Sequence, residues 1–192
     1  MIGARLGHGS DRLLRGIARR LDVNPNTLTV TGFFVTVVAG IVLSQDLFWG
    51  GALIICGGLF DMLDGAVARA NGRTTLFGAY LDSVLDRYAD AFLFFGAAWY
   101  LRDNPTGVVL SLGTLAGAFL ISYARARAEG LGTECGGGLM ERPERVVLLA
   151  IGALTGWLVP VLWLMLPLTH FTVFQRIYHV RKVMSLKGGK DG

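Results

Sequence analysis

The sequence predicts an all-α polytopic membrane protein: six transmembrane helices preceded by an N-terminal interfacial amphipathic helix. Three observations carry that expectation. Of 192 residues, 53% are hydrophobic and only 17% charged, a composition that fits no soluble domain. The apolar residues fall into six runs separated by short polar breaks. The basic residues gather at alternate breaks, as the positive-inside rule requires of a chain that crosses a bilayer repeatedly. One domain is expected over residues 24–184, with a juxtamembrane amphipathic segment over 1–23 and a flexible tail over 185–192.

Residues 10–21, SDRLLRGIARRL, open on Ser10 as a helix cap and place Leu13, Leu14, Ile17 and Leu21 within an arc of roughly 100°. Arg12, Arg15 and Arg19 fall opposite, which suits a helix lying on an anionic membrane surface, with packing on protein as the alternative. Asn26 is then expected to cap the first span, residues 27–43. Further spans are expected near 48–70, 76–101, 106–128, 143–157 and 161–180. The break Asn71-Gly72-Arg73-Thr74-Thr75 is rich in turn residues and predicts two antiparallel helices in contact. With the N-terminus inside, the outer loops at 44–50, 102–106 and 157–160 hold only Arg102. Arg73, Arg125, Arg127, Arg142, Arg145, Arg181, Lys182, Lys187 and Lys190 lie on the inner side, so both termini are expected in the cytoplasm of a cell-membrane protein. These arginines account for the net charge of +4 without a nucleic-acid partner. Arg145 and Arg176 are 31 positions apart, which predicts two helices of about 15 residues and ~23 Å each, short of the ~30 Å hydrocarbon layer. Cys56 and Cys135 have neither disulfide-framework nor metal-site spacing. The basic start lacks an apolar core followed by a small-residue site, so no cleavable leader is expected.

The chemistry lies between Asp61 and Asp86, where four aspartates are set into apolar sequence. Asp61 and Asp64 are three apart and Asp82 and Asp86 four apart, so each pair shares a helix face. Folding the chain about residues 73 and 74 sets Asp61 level with Asp86 and Asp64 level with Asp82, the inner pair roughly 14 Å from the turn. Four carboxylates at such range cannot all stay ionised unaided, and Mg²⁺, Mn²⁺ or Ca²⁺, as one ion or two, is the simplest remedy. A proton relay or ion pathway in a transporter is the alternative for the carboxylates alone.

Written with its intervals, the stretch is Asp61-x2-Asp64-Gly65-x2-Ala68-Arg69-x8-Gly78-x3-Asp82-x3-Asp86. It resembles the full signature of the CDP-alcohol phosphotransferase family of membrane enzymes, with no interval altered. The residue types make sense: Gly65 and Ala68 clear space for a flat base, and Arg69 offers a planar donor fork for a diphosphate. Close helix packing would explain Gly65 and Gly78 equally. The resemblance implies two Mg²⁺ (or Mn²⁺) ions on Asp61, Asp64, Asp82 and Asp86, with Asp86 as general base. It implies a CDP-activated lipid, CDP-diacylglycerol or an archaeal CDP-lipid, held by Gly65, Ala68, Arg69, Thr75 and Gly78 and bordered by Asn26, Thr27, Leu28 and Thr29. It also implies a homodimer, for which Gly32, Gly40, Gly57 and Gly58 could serve, as they could serve packing within the chain.

A second block, residues 122–145, places Arg125 and Arg127 at the inner end of span four and Arg142 and Arg145 at the inner start of span five. Arg176 sits among Phe171, Val173, Phe174 and Ile177 and needs a buried anion or carboxylate. The cluster reads as a pocket for a phosphorylated second substrate, with a solvated positive-inside flank as the alternative. Ser122-Tyr123, Ala126-Arg127-Ala128-Glu129, Glu141-Arg142-Pro143-Glu144-Arg145 and Gln175-Arg176 are similar to one branch of the same family. That similarity implies inositol 1-phosphate as acceptor, its phosphate held by Arg125, Arg127, Arg142, Arg145 and Arg176, and CMP as leaving group. Glycerol 3-phosphate in the same chemistry is the second expectation, and a cation or proton transporter the remote one.

Overall fold

A computed structural model describes residues 24–70, 72 and 75–188. The expected amphipathic segment over 1–23, the turn residues Asn71, Arg73 and Thr74, and residues 189–192 of the expected tail lie outside the described residues. Among the described residues the fold is all-helical, with α1 Pro25–Leu43, α2 Leu47–Ala70, α3 Leu76–Tyr100, α4 Pro105–Gly130, α5 Arg142–Leu154 and α6 Leu158–Gly188.

Four of these, α1, α2, α4 and α6, are long and apolar enough to cross a membrane. The other two fall short for different reasons. Helix α3 carries Asp82, Asp86, Arg87 and Asp90, and α5 has 13 residues, about 20 Å of helix. The last pair is therefore not two equal short helices as expected, because α6 has 31 residues. It runs through Pro167 and past Arg176, since nothing from Arg181 to Leu186 breaks a helix. Residues 185–188, expected in the tail, belong to this helix.

Helix α1 begins two residues earlier than expected. Asn24, not Asn26, is the cap: its side chain accepts from the Asn26 amide at 3.0 Å, and Pro25 fills the first helical position. Asn26 is thereby released for another use.

Each helix packs on two others, and the contacts close into a ring in the order α1, α3, α4, α6, α5, α2 and back to α1. The expected α2–α3 hairpin contact is slight in backbone terms; α1 packs on both far more extensively. Small residues make that insertion possible. A Cβ on Gly96 of α3 would strike the Gly40 carbonyl of α1, and one on Gly57 of α2 would strike Thr36 of α1. One on Gly32 would lie 2.9 Å from Phe60, whereas Gly58 faces Val146 of α5. The glycines weighed for a dimer are thus taken up inside the chain. Ile54, Leu93, Phe94, Leu149, Leu162 and Met165 form the core. Trp49, Trp99 and Trp157 are exposed at the end of the bundle away from the aspartates, where an interfacial aromatic belt belongs.

Candidate functional site

Because α1 holds α2 and α3 apart, their acidic faces meet across a gap rather than along a seam. One oxygen from each of Asp61, Asp64 and Asp82 lies within 4.8 Å of the others. Asp64 is buried, and its Oδ2 has no hydrogen-bond partner. A buried carboxylate oxygen without a donor, beside two more carboxylates, is a site for a divalent cation with oxygen ligands at about 2.0–2.6 Å.

Asp86 joins this triad through Arg142 and lines one small space with Asp61, Asp82 and Arg142. Its Oδ1 is 2.8 Å from Arg142 Nη1, which is also 2.6 Å from Asp61 Oδ1. Its Oδ2 takes a longer contact of 3.4 Å from Arg87. Asp90 continues the same α3 face one turn further and was not among the expected site residues, although its four-residue spacing from Asp86 marks it. It is buried, with Oδ2 2.7 Å from Arg145 Nη2. Periodicity names the face; it does not say that α5 lies against it.

On the other side of the triad a cavity of about 170 Å³ is lined by Asn26, Thr29, Asp64, Gly65, Ala68, Arg69, Thr75, Gly78 and Asp82. Most of the expected nucleotide residues are therefore brought together. Two are not: Thr27 is exposed, and Leu28 packs on Ala66 and Val67. Thr75 caps α3, accepting from the Gly78 amide at 2.9 Å. A Cβ on Gly78 would lie 2.9 Å from Thr75 Oγ1 and 3.0 Å from Asn26 Oδ1, so glycine keeps this wall open.

The five arginines do not form one pocket. Arg125 is exposed and paired with Glu129 at 2.8 Å. Arg142 belongs to the carboxylate centre. Arg145 is buried, giving Nη1 to the Met140 carbonyl at 3.0 Å as well as Nη2 to Asp90. Arg176 is buried, but its shortest partners are backbone carbonyls, Ile121 at 2.6 Å and Gly137 at 3.3 Å, with Glu141 at 3.5 Å. Arg127 and Arg176 share the wall of a groove of about 620 Å³ between α4 and α6. Arg176 also borders a cavity of about 440 Å³ under the loop between α4 and α5. That loop passes through Gly137 and Gly138 at φ 85° and 157°, backbone that other residues rarely adopt. Met140 anchors it by donating its amide to Thr172 Oγ1 at 3.1 Å.

A family model described as CDP-alcohol phosphatidyltransferase matches residues 22–175. The archaetidylinositol phosphate synthase of Methanothermobacter thermautotrophicus is 38% identical over 176 residues, covering 88% of this chain and 89% of its own length. The phosphatidylinositol phosphate synthase of Mycobacteroides abscessus is 39% identical over 174 residues, covering 84% and 79%. Among solved structures, the Mycobacterium tuberculosis phosphatidylinositol phosphate synthase with CDP-DAG bound superposes with a TM-score of 0.79 at 35% identity, over 88% of this chain and 94% of that one. The same enzyme in complex with manganese and citrate gives 0.78 at 34% identity, over 87% and 88%.

Proposed function

The chain belongs to the CDP-alcohol phosphatidyltransferase family, and from that premise we propose that it transfers a phosphatidyl-type group from a CDP-activated lipid to a hydroxyl of inositol 1-phosphate, releasing CMP. The observation that carries the reading is the triad of Asp61, Asp64 and Asp82 opening into a cavity walled by the small residues and Arg69 of the same motif. The donor is CDP-diacylglycerol or its archaeal ether counterpart.

Asp61, Asp64 and Asp82 would hold one Mg²⁺ or Mn²⁺, and Asp61 with Asp86 a second. Such ions neutralise the diphosphate and stabilise charge on the departing CMP. The cavity lined by Asn26, Thr29, Gly65, Ala68, Thr75 and Gly78 receives the nucleotide, and Arg69 contacts the diphosphate. The acceptor oxygen attacks the β-phosphorus; its proton passes to Asp86, and the bond from that phosphorus to the oxygen of CMP breaks with its electron pair. Arg127 and Arg176, which share one groove wall, hold the acceptor phosphate, with Arg125 reaching it on release from Glu129 and Arg145 held by Asp90. The six helices span the cell membrane, and the site opens on its cytoplasmic face. Residues 24–184 form the catalytic domain, and the assembly is a homodimer.

CMP release should be measured with Mg²⁺, CDP-diacylglycerol and, separately, inositol 1-phosphate, free inositol or glycerol 3-phosphate. Release with inositol 1-phosphate alone is expected. Release with glycerol 3-phosphate alone would keep the carboxylate chemistry and discard the acceptor. With no acceptor active, an ether-lipid donor is the next substrate to offer.

The cavity makes a sharper prediction. Gly78→Ala is expected to raise KM for the CDP-lipid roughly tenfold, about 1.4 kcal/mol of binding, with little change in kcat. An unchanged KM would place the nucleotide elsewhere.

A further inference from the structure

We infer that Arg142 is an exchangeable counter-ion of the carboxylate centre: its guanidinium holds the Asp61 and Asp86 oxygens that a second divalent cation would take, and it leaves them for the acceptor phosphate when that cation binds. The inference rests on the metal centre proposed above and adds to it a competitor and an order of events.

The geometry is specific. A single nitrogen, Nη1, sits 2.6 Å from Asp61 Oδ1 and 2.8 Å from Asp86 Oδ1, bridging carboxylates from two helices. An ion shared by Asp61 and Asp86 would lie close to Nη1 whichever carboxylate oxygens it took, and a divalent cation beside a guanidinium at that range is repelled. The two occupants are therefore mutually exclusive.

Arg142 is able to leave. It is the first residue of α5, directly after the loop that contains Gly137 and Gly138, and its buried Nε makes no hydrogen bond, its one contact being a long 4.0 Å approach to Asp90 Oδ1. Beside it lies a cavity of about 230 Å³ lined by Met62, Val146 and Val147, and Arg142 itself forms part of the wall. Arg145 is in another position: two of its nitrogens are fixed to Asp90 and the Met140 carbonyl. Of the two, Arg142 is the more exposed, its side chain at 19% against 3%.

Thermodynamic reciprocity follows. Displacement of Arg142 by the cation and its capture by phosphate favour the same state, so divalent metal and acceptor each tighten the other.

The test is Mn²⁺ titration of the purified full chain, with free ion read by electron paramagnetic resonance. The wild type is expected to bind two ions, the second more weakly. Arg142→Gln is expected to tighten the second event about tenfold, within the usual range of coupling between sites, and to leave the first unchanged. In the wild type, saturating Mn²⁺ is expected to tighten binding of radiolabelled inositol 1-phosphate, an effect absent from Arg142→Gln. A second event that is unchanged or weakened in Arg142→Gln overturns the inference. If that variant cannot be recovered folded, Arg142→Lys serves, since an ammonium lacks the planar fork; it is expected to tighten the second event by a smaller factor, and no change overturns the inference equally. Mn²⁺ binding by Asp61→Asn that matches the wild type would instead refute the carboxylate centre itself.

Discussion

Asp86→Asn is expected to lower CMP release by a factor of roughly 10³ or more, the upper part of the range for loss of a positioned general base, while CDP still binds. The two effects separate because the cavities separate. Asp86 does not line the nucleotide space, which is walled by α1, the last turns of α2 and the first turns of α3. It lines a space barely large enough for one water, together with Asp61, Asp82 and Arg142. Asparagine has the same shape and still accepts from Arg142, so the helix ring stays assembled. What it lacks is the charge that attracts a proton or a cation. CDP binding by calorimetry beside a CMP-release assay checks both halves. Retained turnover removes Asp86 from the mechanism, and loss of CDP binding means that its role is to build the site.

The second large effect is on stability. Asp90 and Arg145 are each 3% exposed and joined at 2.7 Å between α3 and α5. Asp90→Ala strands a guanidinium whose remaining partner is the Met140 carbonyl. Breaking a buried pair by removing one member costs about 3–5 kcal/mol, which should appear as a large fall in the thermal midpoint in detergent. Removing both charges behaves differently, because a well-packed apolar pair is commonly as stable as the ion pair it replaces. Asp90→Leu with Arg145→Met should therefore recover much of the midpoint and still turn over poorly, since the arginine array behind the acceptor would be gone. A single variant as stable as the parent would show that the pair carries no such burden.

Much of this site was legible because its residues are close in sequence. The intervals between Asp61 and Asp86 name helix faces, and small residues at 65, 68 and 78 name the side on which space is needed. Faces do not name neighbours. The hairpin expectation put α2 against α3, yet Gly32, Gly40, Gly57 and Gly96 let α1 come between them, a consequence of backbone distances that spacing does not encode. Asn24 and Asn26 are equally good caps by residue type; Pro25, suited to the first helical position, decides between them. The arginines were hardest. Arg142 and Arg145 read alike as cations at a helix start and Arg176 as one buried within a span, and only the folded chain gives the first to Asp61 and Asp86, the second to Asp90 and the third to backbone carbonyls.

The closed ring also sets the order in which the protein can be made. Helix α2 meets α5, some eighty positions later, to close it. A nascent chain that has emerged only as far as α4 already exposes Asp61, Asp64, Asp82, Asp86 and Asp90, and the arginines that answer Asp61, Asp86 and Asp90 from α5 have yet to emerge. During that interval the acidic face must borrow its compensation from water, dissolved cations or the insertion machinery. Biogenesis thus passes through an intermediate that is insertion-competent but electrostatically unfinished, and the last hairpin to leave the ribosome completes both the architecture and the charge balance.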